Sequence, residues 1–275
     1  MNQTCSTVDV GTETDFQMLK EVMNQGTGIN FDYYRETYLK RRLKVRLTLT
    51  KTHTYSKYMQ FLKTNPEEFK RLIDDITVNY TKFFRDTDVY DFLKDTLLPK
   101  LIFSSKPWIR IWSAGCSTGE EPYSLSMLIH EISIKSPKDR RITIYASDID
   151  ETVLAKSETG EYNQRAVQSV NEKLLNKYFD CQEKNYKVKP FVKEIVHFEK
   201  QDLMSPPLRR NLDLILCRNV MIYFSREIQQ IIYGHFYDSL RPGGYFISGK
   251  TELISGQAAP KFVDVNAQCR VYQKQ

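Results

Sequence analysis

Residues that build metal centres and disulfide frameworks are scarce in this chain. Its 275 residues include four histidines and five cysteines. No two cysteines form a Cys-x-x-Cys pair, the number of cysteines is odd, and the histidines lie too far apart for a metal-ligand spacing. We therefore expect no metal site, and free thiols in a reducing cytoplasm. These residues are Cys5, Cys116, Cys181, Cys217 and Cys269, and His53, His130, His197 and His235.

Long hydrophobic runs are missing as well. No stretch approaches the roughly 18 uninterrupted apolar residues of a membrane span. Met1–Thr14 is polar and lacks the basic-then-apolar pattern of a secretory signal. Hydrophobic residues make up 41% and charged residues 27% of the chain, as in ordinary soluble proteins. We predict a globular, cytoplasmic protein without membrane insertion, and we expect a monomer.

Two patterns of apolar residues divide the chain into two parts. From Phe16 to Tyr80, apolar residues recur at three- and four-residue spacings, which indicates short helices. From Pro107 onward, short apolar runs alternate with amphipathic segments, as in a mostly parallel, doubly wound sheet. We predict a small all-helical N-terminal domain and linker over residues 1–85 and an α/β domain over residues 86–275. The predicted strands are Trp108–Trp112, Ile142–Ala146, Leu212–Cys217 and Tyr245–Ser248, and the predicted helices are Glu121–Ile134 and Ser225–Leu240.

The stretch at about residues 162–201 fits this alternation poorly. It holds a helix-like segment followed by short β-rich pieces at Tyr186–Val188 and Ile195–Phe198. These pieces are short and close together, whereas strands of the main sheet are separated by helices. We interpret the stretch as a small antiparallel β-subdomain inserted into the α/β domain.

A glycine-containing turn follows the first predicted strand. Gly115 and Gly119 are spaced Gly-x-x-x-Gly and lie where a doubly wound sheet binds its ligands. The spacing is not the Gly-x-Gly-x-x-Gly of a pyrophosphate site, and Glu120 and Glu121 would repel a phosphate. An acidic turn suits a positively charged ligand, and S-adenosylmethionine carries both a sulfonium and an ammonium group.

A carboxylate follows the second predicted strand. Asp148 lies at the end of that strand, where a carboxylate can accept hydrogen bonds from both hydroxyls of a ribose. Alternatively, the glycines only form a tight turn and Asp148 only caps the following helix. Both features, in this order and at strand ends, favour a ligand that contains a nucleoside.

Four segments resemble the chemotaxis receptor methyltransferases of the CheR family. Trp112–Ser124 resembles the first motif of that family, Asn79–Arg85 its Asn-x-Thr-x-Phe-Phe-Arg signature, Ala146–Asp150 its second motif and Cys217–Phe224 its fourth-strand motif. The resemblance covers nearly the whole chain. It implies a Rossmann-like S-adenosylmethionine methyltransferase domain, a helical N-terminal domain and a β-rich insertion. It also implies a protein-glutamate O-methyltransferase that converts glutamates of membrane chemoreceptors to γ-glutamyl methyl esters during adaptation.

The resemblance further implies a role for individual residues. Arg85 and Tyr223 would stand nearest the reactive methyl group, and S-adenosylhomocysteine would be the product. Two departures concern Asp202, where asparagine is more usual, and Lys250, where histidine is common. The first affects the adenine contact, and the second affects the fit of the substrate. The residues implied to bind the cofactor are Asn79, Thr81, Arg85, Gly115, Glu121, Asp148, Asp202, Leu203, Cys217, Arg218 and Asn219.

Plain structural roles are the alternative for several of these residues. Arg85 could pair with a neighbouring aspartate, and Tyr223 could simply pack in its apolar run. The other residues with such an alternative are Asn79 and Thr81 as helix caps or turn residues, and Phe83, Phe84 and Phe224 as packing residues.

A basic segment, Lys40–Lys51, is the main charge run. Arg41, Arg42, Lys44 and Arg46 could form a solvated face opposite the stripe of Leu39, Leu43 and Leu47. In the family that the chain resembles, the N-terminal domain faces the receptor, so this surface would attract the glutamates of cytoplasmic receptor helices. Whether the β-subdomain also contacts a receptor tail stays open.

Other functions remain as rivals. The formal charge of +6 keeps a nucleic-acid methyltransferase in view, but Asn219 is followed by Val220-Met221-Ile222 and not by the Pro-Pro-Tyr typical of amino methylation of a flipped base. We therefore expect no nucleic acid. The remaining rivals are a methyltransferase of another protein or of a small carboxylate, and a non-catalytic protein that senses the cofactor.

Overall fold

The chain forms two compact units in the computed structural model, which describes residues 10–77, 80–134 and 141–275. The helical unit contains residues 10–77 together with Tyr223–Ser225, and the sheet unit contains the other described residues. The predicted boundary after the linker, at residue 85, stays a prediction, and the described residues 80–85 fall in the sheet unit. In the described ranges, every helix falls short of the length or the apolarity that crossing a membrane requires.

Four helices with buried apolar stripes make up the helical unit. Helix α1 begins with a capping box, in which the side chains of Thr12 and Asp15 each accept a hydrogen bond from the other's backbone N–H. Leu39, Leu43 and Leu47 are buried, as their spacing along one helix face predicts. The helices are α1 (Glu13–Thr27), α2 (Glu36–Leu49), α3 (Tyr55–Thr64) and α4 (Glu67–Thr77), with a 3-10 turn at Phe31–Tyr33.

The basic residues of α2 do not all face solvent. Arg46 is only 8% exposed and pairs with Glu68 at 2.7 Å and with Asp75 at 2.9 Å. The predicted solvated face is therefore wrong for Arg46, because the buried Glu68 carboxylate requires a charged partner. Arg41 and Lys44 are exposed, so the basic surface consists of fewer residues than the sequence suggests.

The sheet unit alternates strands and helices along the chain. Its strands are β1 (Trp108–Ala114), β2 (Arg141–Asp148), β3 (Glu161–Asn163), β4 (Phe179–Gln182), β5 (Asn185–Val188), β6 (Val196–Lys200), β7 (Leu212–Cys217), β8 (Leu240–Ser248), β9 (Phe262–Asn266) and β10 (Val271–Lys274). Its helices are α5 (Thr87–Phe92), α6 (Leu98–Ile102), α7 (Glu120–Ser133), α8 (Glu151–Thr159), α9 (Gln164–Val167), α10 (Glu172–Tyr178), α11 (Pro190–Lys193) and α12 (Arg226–Ser239), with a π turn at Leu93–Leu97 and 3-10 turns at Met221–Tyr223 and Gly256–Lys261.

Seven strands form the main sheet, in the order β6-β2-β1-β7-β8-β10-β9. The first five run parallel, and β10 is antiparallel to both of its neighbours. All six residues of β7 are buried, as expected of a strand in the middle of a parallel sheet. The predicted doubly wound α/β class is confirmed. Its parallel pairing brings the C-terminal ends of β6, β2, β1 and β7 to one edge, called here the carboxyl edge.

A second, three-stranded antiparallel sheet, in the order β3-β5-β4, lies within the stretch predicted as an insertion. The prediction that Ile195–Phe198 belongs to this insertion is wrong. Strand β6 pairs in parallel with β2 at the end of the main sheet, because Val196 and Phe198 pack into the core of that sheet.

Strand β8 begins earlier than the sequence predicts. It follows α12 directly at Leu240 and includes Pro242, Gly243 and Gly244. A Cβ on Gly244 would come within 2.9 Å of two backbone carbonyl oxygens, so glycine is required where β8 meets β7. Proline and glycine in sequence usually indicate a turn, which is why this part of the strand escapes prediction.

Candidate active site

The turn after β1 is held against the end of β2. The N–H groups of Gly115 and Cys116 both donate to the Ser147 carbonyl, at 2.8 and 2.9 Å. Gly115 has a φ of +72°, and a Cβ there would come within 2.6 Å of Val220. Glycine is therefore required where this turn approaches Val220, which follows β7.

Asp148 fixes the next part of this turn. One carboxylate oxygen of Asp148 accepts from the Ser117 N–H at 2.8 Å, and the other accepts from the Asp150 N–H at 3.1 Å. The cap of α8 is Asp150, whose side chain accepts from the Thr152 N–H at 2.8 Å, so Asp148 is not the helix cap. Burial raises the pKa of the Asp148 carboxyl, while the two backbone hydrogen bonds oppose that rise.

The two glutamates of the turn have different environments. Glu120 is 4% exposed and accepts a hydrogen bond from the Thr118 hydroxyl at 2.6 Å, and burial raises its pKa. Glu121 accepts from the Ser113 hydroxyl at 2.8 Å and lies 3.3 Å from the Arg218 guanidinium. Glu121 and Asp148 therefore give the carboxyl edge its acidic character, and Glu120 is a buried group of the turn itself.

Arg218 connects three parts of the sheet unit. Besides Glu121, its guanidinium contacts the Asp86 carboxylate at 2.6 Å and the Arg85 carbonyl at 2.8 Å. Asp88 pairs instead with Lys250, at 2.5 Å. Both aspartates near Arg85 thus have other cations as partners, and the alternative in which Arg85 pairs with one of them is not what the described residues show.

Arg85 lies in a strained loop. Its guanidinium donates to the Tyr80 carbonyl at 3.0 Å and lies 5.8 Å from the centre of the Tyr80 ring. Phe84 and Asp86, on either side of it, have φ values of +52° and +62°. Left-handed backbone outside glycine costs on the order of 1–3 kcal/mol and tends to occur at functional sites. The Arg218 hydrogen bonds to this loop offset that cost.

The turn that follows β7 is also held by a hydrogen bond to a buried side chain. Cys217 is fully buried, and burial raises the pKa of its thiol, so it remains a thiol that lines the sheet. Asn219 has a φ of +61°, and its N–H donates to the Glu252 carboxylate at 2.9 Å. The sequence analysis assigns no role to Glu252. The spacing of Gly249 and Glu252 after a predicted strand could have indicated one, because glycine lets a carboxylate approach the backbone closely.

The residues after β6 complete the carboxyl edge. The Gln201 N–H donates to the Asp148 carbonyl at 3.0 Å. The Asp202 carboxylate accepts from the Met204 N–H at 2.9 Å, and the Leu203 carbonyl accepts from the His235 ring at 3.0 Å. The structure thus brings Asp202 and Leu203 next to Asp148, although the Asp202 carboxylate is engaged in its own turn.

Two buried polar atoms at this edge support a polar ligand. Among the described residues, the amide nitrogen of Gln201 and the amide oxygen of Asn219 have no hydrogen-bond partner. A buried polar group without a partner costs about 1–3 kcal/mol, so a ligand that supplies a partner to each atom gains that amount for each of them. The residues present therefore fit a ligand with its own donors and acceptors, such as a nucleoside with a charged amino-acid tail.

For three of the predicted site residues, the role at the site stays a prediction. Asn79 lies outside the described residues. Thr81 is half-buried in the loop before α5. Tyr223 belongs to the helical unit, where its ring centre lies 4.9 Å from that of Tyr38 and its carbonyl accepts from the Arg35 N–H at 2.9 Å. In the part of the chain that the structure describes, no three His, Cys, Asp or Glu side chains are grouped as metal ligands would be.

Two family models match consecutive parts of the chain. The model described as "CheR methyltransferase, all-alpha domain" matches residues 14–77, and "CheR methyltransferase, SAM binding domain" matches residues 79–271. Among solved structures, the glycopeptide N-methyltransferase MtfA complexed with S-adenosylmethionine gives a TM-score of 0.37 at 11% identity, over 62% of this chain and 54% of that chain.

Curated relatives extend over almost the whole chain. The chemotaxis protein methyltransferase of Listeria innocua is 32% identical over 246 residues, covering 90% of this chain and 92% of that protein. That of Borreliella burgdorferi is 32% identical over 261 residues, covering 92% of each. Chemotaxis protein methyltransferase 2 of Vibrio cholerae is 33% identical over 254 residues, covering 89% and 87%. The chain therefore belongs to the CheR methyltransferase family and is an S-adenosylmethionine-dependent methyltransferase of chemotaxis.

Proposed function

We propose that the chain is a protein-glutamate O-methyltransferase that esterifies glutamate side chains of membrane chemoreceptors to γ-glutamyl methyl esters. The observation that supports it best is the acidic carboxyl edge with Asp148, Glu121 and two unpartnered polar atoms, in a chain of the CheR family. S-adenosylhomocysteine is then the product. The proposal includes a cytoplasmic location, because receptors present their methylated helices to the cytoplasm. It also includes a monomeric enzyme.

The carboxyl edge supplies the contacts for the cofactor. Asp148 accepts hydrogen bonds from the ribose hydroxyls, and Glu121 lies toward the positively charged methionine end. The other proposed contacts are Asn79, Thr81, Arg85, Gly115, Asp202, Leu203, Cys217, Arg218 and Asn219. When bound, S-adenosylmethionine supplies a methyl group on a positively charged sulfur, which leaves as a neutral sulfide with the bonding electron pair.

The substrate carboxylate requires orientation more than activation. A glutamate side chain has an ordinary pKa near 4.3, so its oxygen is already ionised at neutral pH and no general base is needed. Holding reactants in line can contribute roughly 7–11 kcal/mol in favourable models. We assign that orientation to Arg85 and to the Tyr223 hydroxyl. A hydrogen bond from Tyr223 leaves the oxygen more nucleophilic than a close ion pair with Arg85 does.

The basic surface of α2 is the proposed receptor contact. Arg41 and Lys44 are exposed on the helical unit, whereas Arg46 is occupied by Glu68. Glutamate-rich receptor helices are attracted to such a surface, which increases the association rate at low salt. Only some of the basic side chains of Lys40–Lys51 are exposed to solvent, so we expect a modest effect on the association rate.

The small sheet is a second proposed contact, to a receptor tail. Strand β4 lies at one end of the order β3-β5-β4, and Asp180, Cys181 and Gln182 in it are exposed. An edge strand has backbone N–H and C=O groups on its open side that an extended peptide can pair with.

Transfer of labelled methyl from S-adenosylmethionine to a cytoplasmic chemoreceptor fragment tests the proposal. Esters of glutamate release methanol in alkali, so the expected result is alkali-labile label that disappears when the receptor's candidate glutamates are changed to alanine. The Asp148→Asn enzyme serves as the control with a weakened cofactor site. Cofactor binding without any label on the receptor would contradict the glutamate substrate and favour another acceptor or a sensing role.

A further inference from the structure

A buried carboxylate at the end of β8 gathers three backbone N–H groups. Glu252 is 4% exposed. One of its carboxylate oxygens accepts from Gly249 at 2.6 Å and from Asn219 at 2.9 Å, and the other accepts from Ile222 at 3.2 Å. The Ser248 hydroxyl donates to the Glu252 carbonyl at 2.8 Å. The glutamate is therefore fixed both by its side chain and by its backbone.

These three N–H groups come from two different strand ends. Gly249 follows β8, while Asn219 and Ile222 lie in the turn that follows β7. A Cβ on Gly249 would come within 2.5 Å of the Glu252 carboxylate and 2.7 Å of the Asn219 nitrogen. Only glycine fits here, so the glutamate and the turn after β7 are packed against each other without spare room.

The turn after β7 requires such support. Asn219 has a left-handed φ of +61°, a conformation that is uncommon for residues with a Cβ, although asparagine adopts it more often than most. Its amide oxygen is buried and has no hydrogen-bond partner within the described residues, so the side chain is held in a position that leaves an acceptor available. The Glu252 carboxylate stabilises this conformation of Asn219 by accepting a hydrogen bond from its backbone N–H. Hydrogen bonds to a charged acceptor are about twice as strong as neutral ones.

We infer that Glu252 is a positioning residue for cofactor binding, which holds the turn from Asn219 to Ile222 in the conformation that presents the Asn219 side chain to S-adenosylmethionine. Glu252 does not touch the cofactor itself. The inference rests on the proposed role of Asn219 as a cofactor contact.

The two acceptor oxygens of the carboxylate are the feature that matters. Glutamine has one acceptor oxygen, and its NH₂ group would face at least one N–H donor of the turn. The Glu252→Gln variant keeps the volume of the side chain but loses at least one of the three hydrogen bonds. Aspartate keeps the charge but is shorter by one methylene, so Glu252→Asp is a second, milder variant that can replace the first if that one does not fold.

Calorimetric titration of each purified protein with S-adenosylmethionine, well below its melting temperature, tests the inference. We expect Glu252→Gln to raise the Kd on the order of tenfold, Glu252→Asp to lie between it and wild type, and Asn219→Ala to raise the Kd similarly. If Glu252 acts through Asn219, the double variant Glu252→Gln, Asn219→Ala binds no more weakly than the weaker single variant, because coupled residues are not additive.

A matched control separates positioning from general loss of stability. Glu68 is as buried as Glu252 (2% exposed) but belongs to the helical unit, so Glu68→Gln is expected to lower the melting temperature and leave the Kd within twofold of wild type, on the order of experimental error. A wild-type Kd for Glu252→Gln and Glu252→Asp, or additive losses in the double variant, would overturn the inference. The binding series is independent of receptor methylation, so a wrong receptor substrate would not affect its outcome.

Discussion

Glu68 in the helical unit and Glu252 in the sheet unit are both nearly inaccessible to solvent, but their hydrogen-bond partners are of different kinds. Glu68 is held by side chains, with the Arg46 guanidinium at 2.7 Å and the Tyr58 hydroxyl at 2.9 Å. Glu252 is held by backbone N–H groups. Asp148 resembles Glu252, with the N–H groups of Ser117 and Asp150 as its partners.

This difference separates two uses of a buried charge. The Glu68 cluster joins α2, α3 and α4 through side chains on three helices, so it stabilises the packing of the helical unit. A carboxylate that accepts from backbone N–H groups instead determines the path of a turn, and the turns held by Asp148 and Glu252 lie at the carboxyl edge. Disrupting the first kind should reduce stability, and disrupting the second kind should reduce cofactor affinity.

The largest effect is expected from Arg46→Met. The change keeps much of the volume but leaves the Glu68 carboxylate buried without its cation, which costs about 3–5 kcal/mol of unfolding free energy. Urea denaturation measures that loss. Lys44→Met, on the exposed side of the same helix, should change the unfolding free energy by less than about 0.5 kcal/mol. Equal losses of unfolding free energy in both variants would mean that the Glu68 cluster does not stabilise the helical unit.

Asp148→Asn is the corresponding test at the carboxyl edge. It replaces one acceptor oxygen by an NH₂ group and should weaken S-adenosylmethionine binding about 10- to 100-fold, because hydrogen bonds to charged groups contribute roughly 1.5–3 kcal/mol. Titration calorimetry measures the Kd. The matched control is Asp150→Asn, two residues away, since asparagine caps a helix as well as aspartate does. Unchanged affinity in Asp148→Asn would contradict the ribose contact.

The pH dependence of binding sharpens the same comparison. Burial raises the pKa of the Asp148 carboxyl above its ordinary value of 3.8, so protonation begins at a higher pH than for an exposed aspartate. Cofactor affinity should therefore fall as the pH is lowered through that raised pKa, toward the affinity of Asp148→Asn. In the variant, the part of this fall that Asp148 causes should be absent, and only the pH dependence of the other buried carboxyls should remain, since burial also raises the pKa of Glu120 and of Glu252. A wild-type affinity that stays constant down to pH 3.8 would exclude the ionised form as the binding form.

The smallest effect is expected at the surface of α2. Arg41→Glu combined with Lys44→Glu should slow association with a receptor fragment by about three- to tenfold at low salt, with the difference vanishing at high salt. Stopped-flow kinetics at several salt concentrations measures this. Lys57→Glu combined with Lys63→Glu, both exposed on α3, has the same change in charge and should leave the rate closer to wild type.

Much of the carboxyl edge follows from local patterns in the sequence. The alternating apolar runs predicted β1, β2 and β7, and the positions of Gly115 and Asp148 at strand ends followed from them. Strand β6 was assigned to the insertion because an edge strand with exposed and charged positions has a weak apolar pattern. Its place in the main sheet depends on pairing with β2, in which each partner residue lies 52 positions earlier in the chain (Ile144 opposite Val196).

The partners of the buried charges had no such local pattern. Asp86 lies beside Arg85 in sequence, yet it pairs with Arg218, 132 residues away. Asn219 is held by Glu252, which is 33 residues away in sequence. The amide nitrogen of Gln201 is buried without a partner among the described residues, which no pattern in the sequence indicates. These relations become visible only when the strand ends are brought together.

By itself, the sequence determined the helical N-terminal unit, the parallel α/β sheet, the glycine turn after β1 and the position of Asp148 at the end of β2. Periodicity and turn chemistry act over a few neighbouring residues, so local patterns are enough to predict these features. Only the tertiary structure decided that Arg46 points inward, that β6 joins the main sheet and that Glu252 supports Asn219. A hydrogen bond or ion pair depends on distance in space, and many pairings of the same charged residues are compatible with one pattern along the chain.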